Sequence, residues 1–208
     1  MAVILMLSLL RGVVKNDAYV RGGEWPRKTK LPLNVSPRGL KLGIVGLGRI
    51  GRSIAKTSEA FGMDISYFGP NTKNDVDYTY YSDLEKMAAD VDVLSVACVG
   101  GEGTYHIVDH DVITALGKDG YIVNIARGSV IDEKALVKAL QENSIAGAAL
   151  DVFEDEPNVP DSLFEMDNVI LQPHRGSATY NTRDAMADLV YSNLDGWFSK
   201  KKCTTLVN

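Results

Sequence analysis

Short apolar runs alternate with amphipathic segments from residue 41 onward. The runs are KLGIVGLG, MDISYFG, VDYTYY, VDVLSVAC, GYIVNIA, IAGAALDV and NVILQP. Each is brief, continuous and bounded by glycine, proline or polar residues, as expected of strands covered on both faces. The intervening segments have helical spacing. In residues 49–62, Ile50, Ile54, Ala55, Ser58 and Phe61 fall on one side. A second helix is predicted from Ser82, where SDLE offers a capping box. Others are predicted from Asp109 or His110 through Leu116, over 132–141 from Asp132, and over 179–197. Strands alternating with helices predict the α/β class, a doubly wound parallel sheet with helices on both faces.

The chain opens differently, on MAVILMLSLL, where only Ser8 is polar. A membrane span needs roughly 18 apolar residues, and this run stops at Arg11. A secretion signal carries its positive charge before the apolar run, whereas here Arg11 and Lys15 come after it. Residues 1–17 are therefore predicted as one helix buried on all sides. Residues 18–40, with RGGEWPRKTKLPLNVSPRG, predict an irregular arm for which Trp25 is a possible anchor.

Composition narrows the partners. The 208 residues are 45% hydrophobic and 24% charged, enough for a sizeable core. The net charge is −5 and no stretch is polybasic, so no nucleic-acid partner is expected. Nor is a membrane or a metal site. The two cysteines, Cys98 and Cys203, are far apart. Cys98 lies in an apolar run as a core residue and Cys203 is expected to be exposed. The pair suggests a reducing, cytoplasmic setting rather than a disulfide framework.

GIVGLGRIG places Gly46, Gly48 and Gly51 in G-x-G-x-x-G spacing. The motif follows a predicted strand and opens a predicted helix, the context of a Rossmann-like dinucleotide site. Gly46 would allow the tight turn, Gly48 the close approach of a pyrophosphate, and Gly51 the packing of helix on strand. Arg49 and Ile50 would present amides to the pyrophosphate. NAD-binding versions usually carry an acidic residue about 20 positions on, at the end of the second strand. Gly69 stands there instead, and Asn71, Thr72 and Lys73 follow. These three can hold a 2′-phosphate, although no arginine follows them. NADP(H) is the favoured cofactor, with NAD(H) possible.

NIARGSVIDE, ALDVFEDEP and LQPHRGSAT fall at the carboxyl ends of predicted strands, where open α/β sheets bind ligands. Together GLGRIG, ARGSVIDE, GAALDVFEDEP and PHRGSAT resemble the D-isomer-specific 2-hydroxyacid dehydrogenases. FEDEPNVP, PHRGSATYNTR and DAMADLVYSNL resemble most the glyoxylate/hydroxypyruvate reductases of that family. The resemblance implies that Arg127, Glu156 and His174 are the catalytic arginine, glutamate and acid/base histidine. It implies that Asp151 holds the nicotinamide carboxamide and that Arg183 lies near the substrate. A forked, permanently cationic Arg127 can grip a carboxylate and polarise a carbonyl. His174 can supply the proton when hydride reaches a 2-oxo acid, and a carboxylate beside it favours its charged form. VGGEGTYH departs from the family's Thr-Pro-Glu-Thr-like loop. Gly100, Gly101 and Gly103 suggest a looser loop, with His106 and His110 structural or exposed.

The same resemblance sets expectations for organisation. Residues 1–40 match an interdomain and dimerisation helix with its arm, and 41–178 the dinucleotide-binding domain. Residues 179–208 match a C-terminal helix and tail that return toward a substrate domain, whose N-terminal part would precede this sequence. The implied function is reduction of a small 2-oxo acid such as glyoxylate or hydroxypyruvate by NADPH, or oxidation of a D-2-hydroxy acid in reverse, in a homodimer. Turnover is expected to be impaired in this chain alone. The alternative is an NAD(P)-binding, dimerising module without catalysis, like the corepressors of a related branch.

Overall fold

The computed structural model describes residues 1–27 and 30–205, so Lys28 and Thr29 of the predicted arm and Leu206–Asn208 of the predicted tail lie outside the described residues. The chain forms two compact units, Met1–Pro173 and His174–Asn208.

The first unit is built on seven parallel strands: β1 (Lys41–Val45), β2 (Asp64–Phe68), β3 (Thr79–Tyr81), β4 (Val93–Val96), β5 (Tyr121–Asn124), β6 (Gly147–Leu150) and β7 (Val169–Leu171). Their order is β3-β2-β1-β4-β5-β6-β7. The chain runs outward from β1 in one direction, then returns to lay β4 on its other side. That reversal puts a crevice at the carboxyl ends of β1 and β4, the position at which such sheets bind ligands.

Helices cover both faces, and α4, α5 and α6 start where the sequence supplies a capping aspartate. The helices are α1 (Ala2–Leu10), α2 (Val13–Arg21), α3 (Arg49–Glu59), α4 (Leu84–Asp90), α5 (His110–Leu116) and α6 (Glu133–Gln141). Asp109 accepts from the amides of Asp111 and Val112, and Asp132 from that of Ala135. α4 starts one residue later than the SDLE box implied. Its N-cap is Asp83, which accepts from Lys86 N–H, since a carboxylate accepts there as well as a hydroxyl. One face of the sheet is filled by Met87, Leu94, Ile122 and Leu136, the other by Met6, Leu42, Ile44 and Tyr67.

The opening segment differs from expectation in two ways. It is two helices, because Gly12 takes a left-handed backbone (φ 56°) with Asn34 packed against it. Val13 and Val14 resume the apolar pattern directly after Arg11 and Gly12, which hides that break. Nor is the first helix buried on all sides. Ala2, Leu5, Met6 and Leu10 are buried against β5, β6, β7 and α3, while Ile4 is 66% exposed. The arm returns to this helix, where Val35 N–H donates to Leu10 O at 3.0 Å. Trp25, the expected anchor, is 68% exposed and sits in a single helical turn, Trp25–Arg27. Leu5→Ala should lower unfolding free energy by about 2–3 kcal/mol in urea denaturation, because a buried leucine would leave a cavity against the sheet. An effect below about 0.5 kcal/mol, typical of surface positions, would show that α1 is not part of the core.

The second unit is dominated by α7 (Tyr180–Lys200), longer than the predicted 179–197. Thr179 caps its start by accepting from Thr182 N–H. Asn193 ties the following segment back, accepting from Thr205 N–H at 2.9 Å and donating to Thr205 Oγ1 at 2.8 Å. Cys203, expected to be exposed, is half-buried. Among the described residues no helix is long and apolar enough to cross a membrane.

Candidate active site

The glycine loop has the geometry its spacing implied. Gly46 has φ 97°, and a Cβ there would lie 2.6 Å from Cys98 Cα, so both conformation and space demand glycine. A Cβ on Gly51 would lie 2.2 Å from Gly46 O, so helix and loop are in direct contact there. Gly48 faces open space with nothing within 4 Å, which leaves its backbone accessible to a ligand. No side chain caps α3, and the first-turn amides of any helix lack an intrahelical acceptor. Arg49 and Ile50 occupy that turn. Ile50, placed on the inward side by its spacing, is instead 59% exposed in the first turn of α3. Phe61 is also exposed, lying in the turn beyond the end of α3. The loop thus offers an accessible backbone and an uncapped helix end, the features that suit a pyrophosphate.

β2 ends at Phe68, so Gly69 is the first residue past the strand. Asn71, Thr72 and Lys73 are all exposed there. Cys98 is half-buried beyond β4, and burial pushes its thiol pKa up.

One wall of the crevice continues from Cys98 to Arg127. The Arg127 stem lies over Gly100, where a Cβ would come within 2.6 Å of Arg127 Cγ. A side chain at Gly100 would therefore meet the Arg127 stem. The loop is also less slack than its glycines suggested. Glu102–Thr104 form a helical turn, and Thr104 Oγ1 donates to Val99 O at 2.7 Å. His106 Nε2 lies 2.9 Å from Glu154 Oε1, and His110 pairs with Asp111 at the exposed start of α5.

Arg127 follows β5 and is exposed, with its Nη1 donating to Ala126 O at 2.6 Å. The turn that carries it is braced by Asn124, which is buried at the end of the strand. Asn124 Oδ1 accepts from Ala126 N–H and its Nδ2 donates to Arg127 O, both at 3.0 Å. Sequence reasoning misses Asn124, since the amide that ends YIVN is visible but the backbone groups it binds are not. Gly128 packs on the backbone of Phe153 and Glu154, so the Arg127 turn touches the loop that carries Glu156. Glu156 is exposed at residue level and its Oε1 accepts from Phe153 N–H at 3.1 Å. Asp151, 1% exposed, directly follows β6, and its N–H donates to Asn124 O at 2.9 Å.

Arg127, Asp151, Glu156 and the glycine loop all belong to the first unit, and their supporting turns interlock at the carboxyl edge of the sheet. His174 and Arg183 belong to the second. His174 has a left-handed backbone, φ 52°, uncommon for a residue with a side chain. Arg183 is exposed in the first turn of α7. Among the described residues no cluster of histidine, cysteine and carboxylates could hold a metal.

Residues 3–176 match the D-isomer specific 2-hydroxyacid dehydrogenase, NAD binding domain. The chain belongs to this family. It is 49% identical over 207 residues to glyoxylate/hydroxypyruvate reductase A HPR2 of Arabidopsis thaliana, covering 100% of this chain and 66% of that protein. It is 47% identical over the same length to the 2-ketogluconate reductase of Gluconobacter oxydans, with the same coverage. Among solved structures it resembles the NADPH-dependent glyoxylate/hydroxypyruvate reductase of Sinorhizobium meliloti in complex with NADP and malonate. The TM-score is 0.95 at 46% identity, covering 99% of this chain and 65% of that one. The chain thus spans about two thirds of the length of the curated relatives it matches, 66% for the two named.

Proposed function

We propose that this chain carries the cofactor site and catalytic side chains of a reductase that converts a small 2-oxo acid, glyoxylate or hydroxypyruvate, to its 2-hydroxy acid with NADPH. The observation that carries the reading is the continuous wall at the switch point, from the glycine loop through Cys98 and Gly100 to the exposed Arg127. A guanidinium beside such a crevice would suit a carboxylate substrate. The names and bound cofactor of the relatives support the substrate class and NADPH. So does Gly69 at the end of β2, where an acidic residue would repel a 2′-phosphate.

NADPH, when bound, supplies the hydride. Arg127 binds the substrate carboxylate and draws electron density from the carbonyl. His174 gives the proton to the oxygen that becomes basic. By resemblance Glu156 is the catalytic glutamate, and Asp151 orients the carboxamide. Arg183 assists on the substrate side. The exposed apolar side chains Val13, Val14 and Val20 of α2 support a homodimer through residues 1–40, with the rest of that segment as arm, residues 41–178 as the cofactor domain and 179–208 as the closing helix and tail. Two distant cysteines support a reducing, cytoplasmic setting.

The test is oxidation of NADPH and, in parallel, NADH by the purified chain with glyoxylate and with hydroxypyruvate. Slow turnover is expected with both acids, because the chain spans only 66% of the relatives' length, and it should be faster with NADPH than with NADH. Tight NADPH binding without turnover would overturn the catalytic reading and leave a cofactor-binding module. Equal use of NADH would overturn the cofactor assignment alone.

A further inference from the structure

The segment after β2, from Gly69 to Asp75, is exposed at Asn71, Thr72 and Lys73, yet it is tied down along its length. Tyr80 Oη donates to Gly69 O at 3.1 Å. Lys73 N–H donates to Tyr67 Oη at 2.7 Å. Arg52 Nη2 donates to Asp75 Oδ1 at 2.9 Å. Just beyond, Tyr78 Oη donates to Glu59 Oε2 at 2.9 Å. The rings of Tyr67 and Tyr80 pack on each other with centroids 5.4 Å apart.

Tyr67 is the informative member. Its ring is 1% exposed in the core beside α3, where phenylalanine would fill the same space. The hydroxyl serves the Lys73 amide, and Tyr80 does the equivalent at Gly69. Together the two phenols fix both ends of a loop whose middle side chains face water.

We propose that Tyr67 and Tyr80 are positioning residues that set the preference for a 2′-phosphorylated cofactor, by clamping Gly69–Lys73 so that Asn71, Thr72 and Lys73 are held ready for the phosphate. The proposal rests on the NADPH reading given above. The loop itself offers only one cation and two neutral side chains, with no arginine fork to grip a phosphate bidentately. Weak donors bind well only if little ordering entropy is lost on binding, and the clamp removes that loss beforehand. Arg52 adds a second condition. Its ion pair offsets the charge of Asp75, which would otherwise repel a phosphate beside Lys73.

The experiment is calorimetric titration of the chain with adenosine 2′,5′-bisphosphate and with 5′-AMP, which differ only by the 2′-phosphate. The variants are Tyr67→Phe, Tyr80→Phe and the double substitution. Each single variant is expected to bind the bisphosphate about 3–10-fold more weakly, the loss of one hydrogen bond, with 5′-AMP affinity unchanged. The double variant should approach equal affinity for the two nucleotides. Equal weakening of both nucleotides, or no change in either, overturns the proposal, because a merely structural hydroxyl does not discriminate between them. Unchanged 5′-AMP binding also reports that the fold is intact. If Tyr67→Phe binds neither nucleotide, the half-buried Tyr80→Phe decides. A wild-type chain that binds the two nucleotides equally overturns the NADPH reading itself, and the proposal with it, before any variant is made.

Discussion

His174→Ala is expected to lower turnover of glyoxylate or hydroxypyruvate about 10²–10⁴-fold, the usual worth of a positioned general acid. NADPH affinity should stay within about twofold, since in this reading the imidazole serves the substrate oxygen and not the dinucleotide. The reasoning starts from the proton. Reduction of a carbonyl leaves an oxygen that must be protonated, and the guanidinium of Arg127 cannot give one up. Among the proposed groups only imidazole can both donate at neutral pH and recover its proton for the next cycle. The left-handed backbone of His174, φ 52°, is an uncommon conformation for a residue with a side chain, of the kind that collects at functional positions. Initial rates with saturating NADPH, together with fluorescence titration of NADPH, separate the two effects. Turnover within about tenfold of wild type would be below the range for a general acid and would remove His174 from that role.

The sheet was legible because parallel strands buried on both faces leave continuous apolar runs, and all seven appear where such runs lie. Caps were legible where a short polar side chain opened a helix, as at Asp109 and Asp132. The opening segment was not. Its apolar residues continue past Gly12, so hydrophobicity says nothing of the left-handed turn there, which depends on packing against the distant Asn34. Ile50 was misplaced for a related reason. Helical periodicity assigns a face, but Ile50 stands in the first turn of α3, where its apolar side chain is left exposed.

At the site, the glycines could be read individually because each answers to one local constraint. Gly46 has a positive φ and a neighbour at contact distance, and Gly51 lies against Gly46 O. The supporting groups could not. Asn124 and the Tyr67–Tyr80 pair act through hydrogen bonds to backbone atoms of other turns. A sequence shows the donor but not the amide or carbonyl it will find. Gly100 lies between these cases. The glycine itself stands out in VGGEGTYH, but the Arg127 stem lying across it comes only from the way two loops meet.

Gly128→Ala is expected to be the most damaging small substitution in the chain, and its cause is a single contact. A Cβ at that position would lie 1.9 Å from Phe153 C, 2.0 Å from Phe153 O and 2.2 Å from Glu154 N. All three are backbone atoms, so no side chain can swing away. The methyl group can be accommodated only by moving the Arg127 turn and the Phe153 loop apart by more than an ångström. Neither is free to follow. The turn is held by both ends of the Asn124 amide, and Glu154 N–H is held by Glu133 Oε2 at 3.0 Å. Overpacking against a fixed backbone should destabilise the fold by about 4 kcal/mol or more, beyond the common range for point substitutions. Where folded protein survives, the displacement separates Arg127 from the loop bearing Glu156. A misplacement of that size typically costs about 10²-fold in rate, so kcat should fall further than the loss of folded protein explains. Urea unfolding and active-site titration of the folded fraction measure the two parts. A variant with wild-type stability would mean that the turn and the loop do not touch as the geometry has them. One with lowered stability but unchanged kcat per folded molecule would mean that the contact braces the sheet edge without setting the position of Arg127.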